Sequence, residues 1–317
     1  MLSALALFAF GITIVVIAAQ IFLSFTQTAA ARWQLSPLFI SLVVVAIGTT
    51  LPELTVTLAA IVQDDPGLAL GNLVGSAITN ITLVFGVSSL ISSVRIGTTK
   101  TPKIALLFLG TCLLFAGLQQ SGLSLHARAF IWGASVVLIF LFEYVLAIHG
   151  RLYEDKKLLG LLKRLAQRGH QYPRGVVPLG MIGSALGLGI GGYLTVQSIE
   201  QLALALDIST TALGLTLTAV ATSMPEIITT LIAGRKEAKL VTGTLIGSST
   251  LTLTLYPMLL AASNTTTTLP VPELVFLLSA AVSFTIAVLY FKGRTIPWYI
   301  SGGLLCLYGA FVWSSIF

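Results

Sequence analysis

Two short stretches of the chain share a pattern in which a glutamate directly follows a proline inside an apolar run. The first reads GTTLPE at residues 48–53, and the second reads ATSMPE at residues 221–226. A glycine-rich stretch follows each one, GNLVGSAITN at 71–80 and GTLIGSSTLT at 243–252. The glutamate precedes the second glycine by 22 residues in the first copy and by 21 in the second. Two linked motifs that recur at this spacing indicate an internal repeat.

The composition places this repeat in a membrane. Of 317 residues, 56% are hydrophobic and 9% are charged, whereas a soluble domain carries about 25% charged residues. Lipid must therefore be the main solvent. The net charge of +6 does not indicate a nucleic-acid partner, because the basic residues lie in short loops and are better explained as topology signals. The two cysteines both lie in apolar runs and predict neither a disulfide framework nor a metal site.

Apolar runs of about 20 residues are long enough to cross a bilayer as helices. We predict ten such spans and hence an all-α, multi-pass membrane protein. The chain leads from Met1 directly into the first run, so we expect a transmembrane helix there and not a cleavable signal peptide. The predicted spans are residues 3–26, 36–62, 68–93, 103–122, 127–148, 176–199, 209–234, 240–263, 271–291 and 295–316.

The longest polar break, residues 149–175, separates five spans from five. It contains seven Lys and Arg residues, which predicts a basic cytoplasmic linker in contact with anionic lipid. Alternate loops then place every basic residue except Arg128 on the cytoplasmic side, as the positive-inside rule requires. Both termini are expected outside, and the location is a cell (inner) membrane.

An odd number of spans reverses the direction of the chain, so the second half enters the membrane with opposite topology. We predict a first five-helix repeat at 1–148, the linker at 149–175 and a second, inverted repeat at 176–317. Inverted repeats with interrupted helices build a binding site at the bilayer midplane in many secondary transporters. Because the pseudo-symmetry lies within one chain, we expect the protein to function as a monomer.

The repeated motifs contain oxygen atoms of the kind that bind hard cations. Pro52 and Pro225 lack an N–H group, which frees the carbonyl about four residues earlier and loosens neighbouring carbonyls at Ala46 and Ala219. Hydroxyl, amide and carboxylate groups complete the set, and the motifs contain no His or Cys. An all-oxygen set suits Na⁺ and Ca²⁺ and does not suit zinc or copper.

These groups also have purely structural interpretations. Hydroxyls in membrane helices often bond back to their own backbone, and glycines often serve only for packing. The glutamates differ, because an ionised group at the bilayer centre costs about 2.5–3.5 kcal/mol. Two at mirrored positions therefore favour a functional role. Glu143 also lies in an apolar run, but near the basic linker, where we expect it to reach the interface or pair with a linker cation.

The motifs resemble the two α-repeats of the cation/Ca²⁺ exchanger superfamily, which includes the Na⁺/Ca²⁺ exchangers. The resemblance covers about 45 residues of each half, and the ten-span inverted architecture extends it over the whole chain. It implies a secondary antiporter, not an enzyme, that uses no cofactor and works by alternating access. The first and sixth spans would slide across a rigid core of the other eight.

The resemblance also implies a role for each motif residue. Glu53 and Glu226 would be the central Ca²⁺ ligands, shared with Na⁺, and Thr49 and Thr222 would contribute hydroxyls or carbonyls. Four residues would line flanking Na⁺ sites: Thr50, Ser76, Ser223 and Ser248. Ala46 and Ala219 would offer backbone carbonyls, and Asn80 would offer a side-chain amide oxygen. Thr252 occupies a position that is acidic in some relatives.

Several positions depart from the family pattern. Alanine or another neutral residue replaces the usual asparagine at Ala77, Thr244 and Ser249, and Ala221 replaces a glycine. With Thr252 neutral, the predicted set of oxygen ligands contains two carboxylates, which one Ca²⁺ or two Na⁺ neutralise. A third Na⁺ would leave an excess positive charge in a low dielectric. The motifs leave the coupling stoichiometry open.

The leading hypothesis is a Ca²⁺ exporter driven by inward Na⁺. An alternative with the same fold couples Ca²⁺ to H⁺, because desolvated glutamates can load protons in turn. A channel is less favoured, since channels more often build a pore from rings of residues in several subunits, and a scaffold would tolerate loss of both glutamates. The motifs contain no paired nucleophile and base that would indicate an enzyme.

Overall fold

The computed structural model describes residues 1–32, 50–92, 94–96, 100–149, 175–234, 242, 245–254 and 268–317. These ranges are almost entirely helical, which confirms the all-α class, and each of the ten predicted spans contains at least one described helix. Six helices in these ranges are long and apolar enough to cross a membrane. The α-helices are α1 Leu2–Arg32, α2 Leu51–Val62, α3 Pro66–Thr79, α4 Phe85–Ser92, α5 Lys100–Gln120, α6 Leu125–His149, α7 Val176–Leu206, α8 Thr210–Leu213, α9 Ala219–Thr222, α10 Met224–Gly234, α11 245–254, α12 Val271–Tyr290 and α13 Trp298–Ile316.

Helices α1 and α7, which begin the two predicted halves, are each 31 residues long. At 1.5 Å per residue this is about 46 Å, more than the hydrocarbon core of about 30 Å. Both extend past the predicted spans, because polar residues such as Glu200 and Gln201 favour a helix as well as a loop. The two helices cross at close range, since a Cβ added at Gly191 would lie 2.9 Å from the carbonyl oxygen of Gly11.

Two of the spans contain irregular helical turns. Helix α3 continues through a π-helical turn, Asn80–Val84, into α4, and α8 continues through a second π-helical turn, Gly214–Thr218, into α9. Such turns are rare and occur mostly at functional sites. A further break at Ser223 separates α9 from α10, two residues before Pro225. The seventh predicted span is therefore interrupted at the second motif.

Each glutamate of the repeated motifs lies in the first turn of a helix that begins at the motif. Helix α2 starts at Leu51, so Glu53 occupies its first turn, and α10 starts at Met224, so Glu226 occupies the equivalent position. The partial positive charge at a helix N-terminus stabilises a carboxylate there. The N-terminal part of the second span, residues 36–49, lies outside the described residues.

The loops pair at opposite ends of the continuous helix formed by α3, the first π-helical turn and α4. Beyond the end of α4, Ile96 N donates to the Arg294 carbonyl at 3.0 Å and Ile296 N donates to the Val94 carbonyl at 3.1 Å. Before the start of α3, Thr210 Oγ1 donates to Asp65 Oδ1 at 3.2 Å. Loops predicted to share a side of the membrane thus lie together at both ends.

Candidate ion-binding site

The side chain of Glu53 lies where the two repeated motifs meet. It is 1% exposed, and its Oε1 accepts hydrogen bonds from Ser76 Oγ at 3.2 Å and from Ser223 Oγ at 3.3 Å. The two hydroxyl oxygens are 3.1 Å apart. Ser76 belongs to α3 and Ser223 to the break before α10, so one carboxylate gathers groups from both motif copies. Its other oxygen, Oε2, has no hydrogen-bond partner within the described part of the chain.

Glu226 is also fully buried, and its negative charge lies close enough to that of Glu53 for the two to repel each other. Thr230 Oγ1 donates to the Glu226 carbonyl oxygen at 2.7 Å, and Ser88 Oγ donates to Thr230 Oγ1 at 3.0 Å. These bonds tie α10 to α4. Two buried carboxylates that repel each other in a low-dielectric interior create a strong local attraction for cations.

Asn72 connects the motif copies and was not among the predicted site residues. Its Nδ2 donates to the Glu53 carbonyl oxygen at 3.1 Å and to Thr57 Oγ1 at 3.2 Å. Its Oδ1 accepts from Thr222 Oγ1 at 3.2 Å. The side chain is fully buried and all of these bonds go to protein, so Asn72 fixes α2 relative to α9. The sequence feature that could have identified Asn72 is the presence of a polar residue inside an apolar span.

A second polar group joins the third and eighth spans. Asn80 Nδ2 donates to Ser248 Oγ at 3.4 Å, and Thr252 Oγ1 donates to the Ser248 carbonyl oxygen at 2.8 Å. The Thr252 hydroxyl therefore donates its proton to the backbone of its own helix, as hydroxyls with a purely structural role do. Asn80 Oδ1 has no hydrogen-bond partner among the described residues, which leaves an amide oxygen available inside the protein.

Of the other predicted site residues, some are buried and hydrogen-bonded within the protein, and others lie outside the described residues. Thr50 and Ala219 are buried, but the Ala219 carbonyl accepts from Ser223 N at 3.1 Å and from Thr222 Oγ1 at 3.3 Å. The expectation that this carbonyl is loosened is wrong, because Pro225 removes the helical partner of Ala221 and not that of Ala219. Ala46 and Thr49 lie outside the described residues.

Glycines allow the helices of the two halves to meet at backbone distance around the site. A Cβ added at Gly75 would overlap the backbone of Leu215, and one added at Gly214 would lie 2.8 Å from the Leu68 carbonyl oxygen. The packing role of Gly71 and Gly75 is thus confirmed, since a Cβ at Gly71 would also overlap backbone, at Thr211. This close approach brings Ser76 within hydrogen-bond distance of Ser223.

The donor set consists of oxygen atoms. Within the described residues, no cluster of three or more His, Cys, Asp and Glu side chains occurs that would suit a transition metal. Carboxylate, hydroxyl and amide oxygens are the ligands of hard cations such as Ca²⁺ and Na⁺. Glu53 Oε2 and Asn80 Oδ1, which no described residue hydrogen-bonds, supply free ligand positions.

Comparison with known proteins gives matches along most of the chain. A family model described as sodium/calcium exchanger protein matches residues 3–150 and 176–317. The uncharacterized membrane protein MJ0091 of Methanocaldococcus jannaschii is 30% identical over 76% of each chain. The putative antiporter CaxA of Alkalimonas amylolytica is 29% identical over 75% of this chain and 74% of its own. The sodium-calcium exchanger NCX_Mj, solved after soaking with Na⁺ and Ca²⁺, shares the fold with a TM-score of 0.61, 24% identity and 99% coverage of both chains.

Proposed function

Because the chain belongs to the sodium/calcium exchanger protein family, we propose that it is a secondary antiporter that exports Ca²⁺ across the cell membrane in exchange for Na⁺. The observation that carries the proposal is the Glu53 carboxylate, which accepts hydrogen bonds from both motif copies and faces the charge of Glu226. Membership of this family makes the protein a membrane transporter and not an enzyme. Its ions are cargo, so the function calls for no cofactor.

The proposed ligands follow from the chemistry of the site. Glu53 and Glu226 neutralise the bound cations, and Asn80 offers an amide oxygen. The hydroxyls that surround them complete the coordination, since Ca²⁺ takes six to eight oxygen ligands. The remaining proposed ligands are Thr49, Thr50, Ser76, Thr222, Ser223, Ser248 and Thr252, with the carbonyl of Ala46.

Alternating access requires one part of the protein to move against another. Helices α1 and α7 pack mainly on each other and reach the rest of the described structure mainly through α2. This arrangement supports their movement as one unit across a core that holds the site. Two five-helix repeats, 1–148 and 176–317, would flank a linker at 149–175, in keeping with the two segments that the family model matches.

The membrane orientation is part of the proposal. The linker and the paired loops around Ile96 and Arg294 would face the cytoplasm, while Asp65 and both termini would face outward. The excess of Lys and Arg on the first side supports this assignment. Ca²⁺ would then leave the cytoplasm as Na⁺ enters, with the protein acting as a monomer in the lipid bilayer.

Everted membrane vesicles test the exchange directly. Vesicles loaded with Na⁺ and diluted into Na⁺-free buffer are expected to accumulate ⁴⁵Ca²⁺, and vesicles loaded with choline are not. Glu53→Gln and Glu226→Gln are each expected to reduce the uptake to background, because a neutral amide cannot compensate the charge of a divalent cation.

Glu273→Gln is the matched control, because Glu273 lies in the first turn of α12 and outside the repeated motifs. It should leave uptake unchanged. Uptake that is indifferent to the Na⁺ gradient would contradict Na⁺ coupling, and full uptake by both motif variants would contradict the assigned site.

Proton coupling is the second candidate, and the charge of the site favours it as much as Na⁺ coupling. Two protons neutralise Glu53 and Glu226 as well as two Na⁺ do. In the same vesicles, uptake that responds to an acidic lumen and not to Na⁺ would identify a Ca²⁺/H⁺ antiporter with the same ligands.

A further inference from the structure

We propose that the exchange is electroneutral, with one divalent cation moving against two monovalent cations, and that Asn80 and Thr252 set this ratio. The inference rests on the proposed antiport. Asn80 and Thr252 occupy the last position of the two glycine-rich stretches, 71–80 and 243–252. Both are buried and neutral, and both hydrogen-bond to Ser248. At these matched positions, each half could supply a third carboxylate and neither half does.

The two motifs contain no other acidic residue that could replace this charge. Outside the two motifs, Glu143 lies on α6, which packs against α5 through Trp132 and Leu118. The other acidic residues that the structure describes lie in loops or near helix ends: Asp64, Asp65, Glu200, Asp207 and Glu273. Glu154, Asp155 and Glu237 lie outside the predicted spans in the sequence. The Lys and Arg residues likewise lie outside both motifs. Glu53 and Glu226 are thus the acidic residues of the two motifs, which carry a fixed charge of −2.

This fixed charge limits what can cross the membrane. A site of charge −2 becomes neutral with one Ca²⁺ and also with two Na⁺ or two H⁺. A third monovalent cation would add a net positive charge that no side chain of the motifs compensates, in an interior where charges are poorly solvated. If both loaded forms are neutral, the movement that exchanges them carries no charge, and the membrane potential does no work on the cycle.

The position of the exchange equilibrium measures this charge. Wild-type protein is reconstituted in liposomes with fixed Na⁺ and pH gradients, and valinomycin with K⁺ clamps the potential at 0 or −100 mV. The equilibrium distribution of ⁴⁵Ca²⁺ is expected to be the same at both potentials. An exchange that moved one net charge would shift it about 50-fold per 100 mV.

Two outcomes separate this inference from the function on which it rests. If ⁴⁵Ca²⁺ responds to neither the Na⁺ nor the pH gradient, the proposed antiport is wrong. If ⁴⁵Ca²⁺ follows one of these gradients but its distribution also shifts with potential, antiport stands and electroneutrality is overturned.

Variants test the assignment to the two positions. Thr252→Asp adds a third carboxylate beside Ser248, and Asn80→Asp does the same with almost no change of shape. We expect at least one of them to give a potential-dependent distribution. Gln201→Glu, which adds a carboxylate at an exposed position of α7, should remain independent of potential. Transport-competent Asp variants that both stay independent would overturn the role of Asn80 and Thr252.

Discussion

At the residue scale, the site combines groups that bind cargo with a group that positions them. Asn72 makes three side-chain hydrogen bonds within the protein, to partners in α2 and α9. It therefore acts by positioning two ligand residues, because it binds the backbone carbonyl of Glu53 and the side-chain hydroxyl of Thr222. Removing such a supporting residue typically lowers the affinity of an ion site by 10- to 100-fold.

Replacing Asn72 by leucine tests this positioning role. Asn72→Leu keeps the branched shape and the number of side-chain heavy atoms but leaves the Thr222 hydroxyl and the Glu53 carbonyl without this partner, so we expect a loss of about 1–3 kcal/mol of stability and at least tenfold weaker Ca²⁺ binding. Thermal unfolding in detergent and ⁴⁵Ca²⁺ binding measure the two effects.

Thr111→Val is the control for Asn72, because the Thr111 hydroxyl donates only to the backbone of its own helix, at Leu107, at 3.0 Å. It is expected to bind Ca²⁺ like the wild type. An Asn72→Leu protein with unchanged affinity would show that Asn72 supports the fold and not the site.

Residue types and spacing predicted part of this arrangement. A proline followed by a buried glutamate is a recognisable local pattern, and Glu53, Ser76 and Ser223 do meet. The role of Asn72 could not be predicted in the same way, because its partners depend on how three separate helices pack. The prediction of a loosened Ala219 carbonyl was wrong for a local reason, because this carbonyl accepts hydrogen bonds from both Ser223 N and Thr222 Oγ1.

At the element scale, the site depends on helices that begin or distort within the protein interior. The starts of α2 and α10 place both glutamates in first turns, and the sequence, in which each motif falls within one long predicted span, did not predict these starts. The π-helical turns at Asn80–Val84 and Gly214–Thr218 were not predicted, because one extra residue in a helical turn leaves no mark in the hydrophobic pattern. The other described helices end within a few residues of the predicted spans, except that α1 and α7 run on and that the predicted spans of α2 and α11 extend beyond the described residues.

The contact between α3 and the second π-helical turn gives a prediction at this scale. Gly75→Ala adds a methyl group that overlaps the Leu215 backbone and must separate the two elements. We expect a loss of about 1–3 kcal/mol of stability and weaker Ca²⁺ binding, because the adjacent Ser76 moves away from Ser223. Thermal unfolding and ⁴⁵Ca²⁺ binding check both effects.

Gly117→Ala in α5 is the matched substitution, since no described atom lies within 4 Å of a Cβ added there. It should be neutral or stabilising by about 0.5–1 kcal/mol, because alanine favours a helix. Equal behaviour of the two variants would show that the close approach at Gly75 does not hold the site together.

At the scale of the whole molecule, the two halves of the chain build one site. Glu53 comes from the first half and Glu226 from the second, and the hydrogen bonds around Glu53 join the two. A pair of separate sites, one in each half, would keep each glutamate among groups of its own motif copy. The shared environment therefore predicts that neither half binds Ca²⁺ without the other.

The number of Ca²⁺ ions bound per chain distinguishes one shared site from two separate sites. In equilibrium dialysis of the purified protein at saturating ⁴⁵Ca²⁺, the wild type is expected to bind one Ca²⁺, and Glu53→Gln and Glu226→Gln are each expected to bind none. Two Ca²⁺ per wild-type chain, with one remaining in each variant, would contradict a single site shared between the halves.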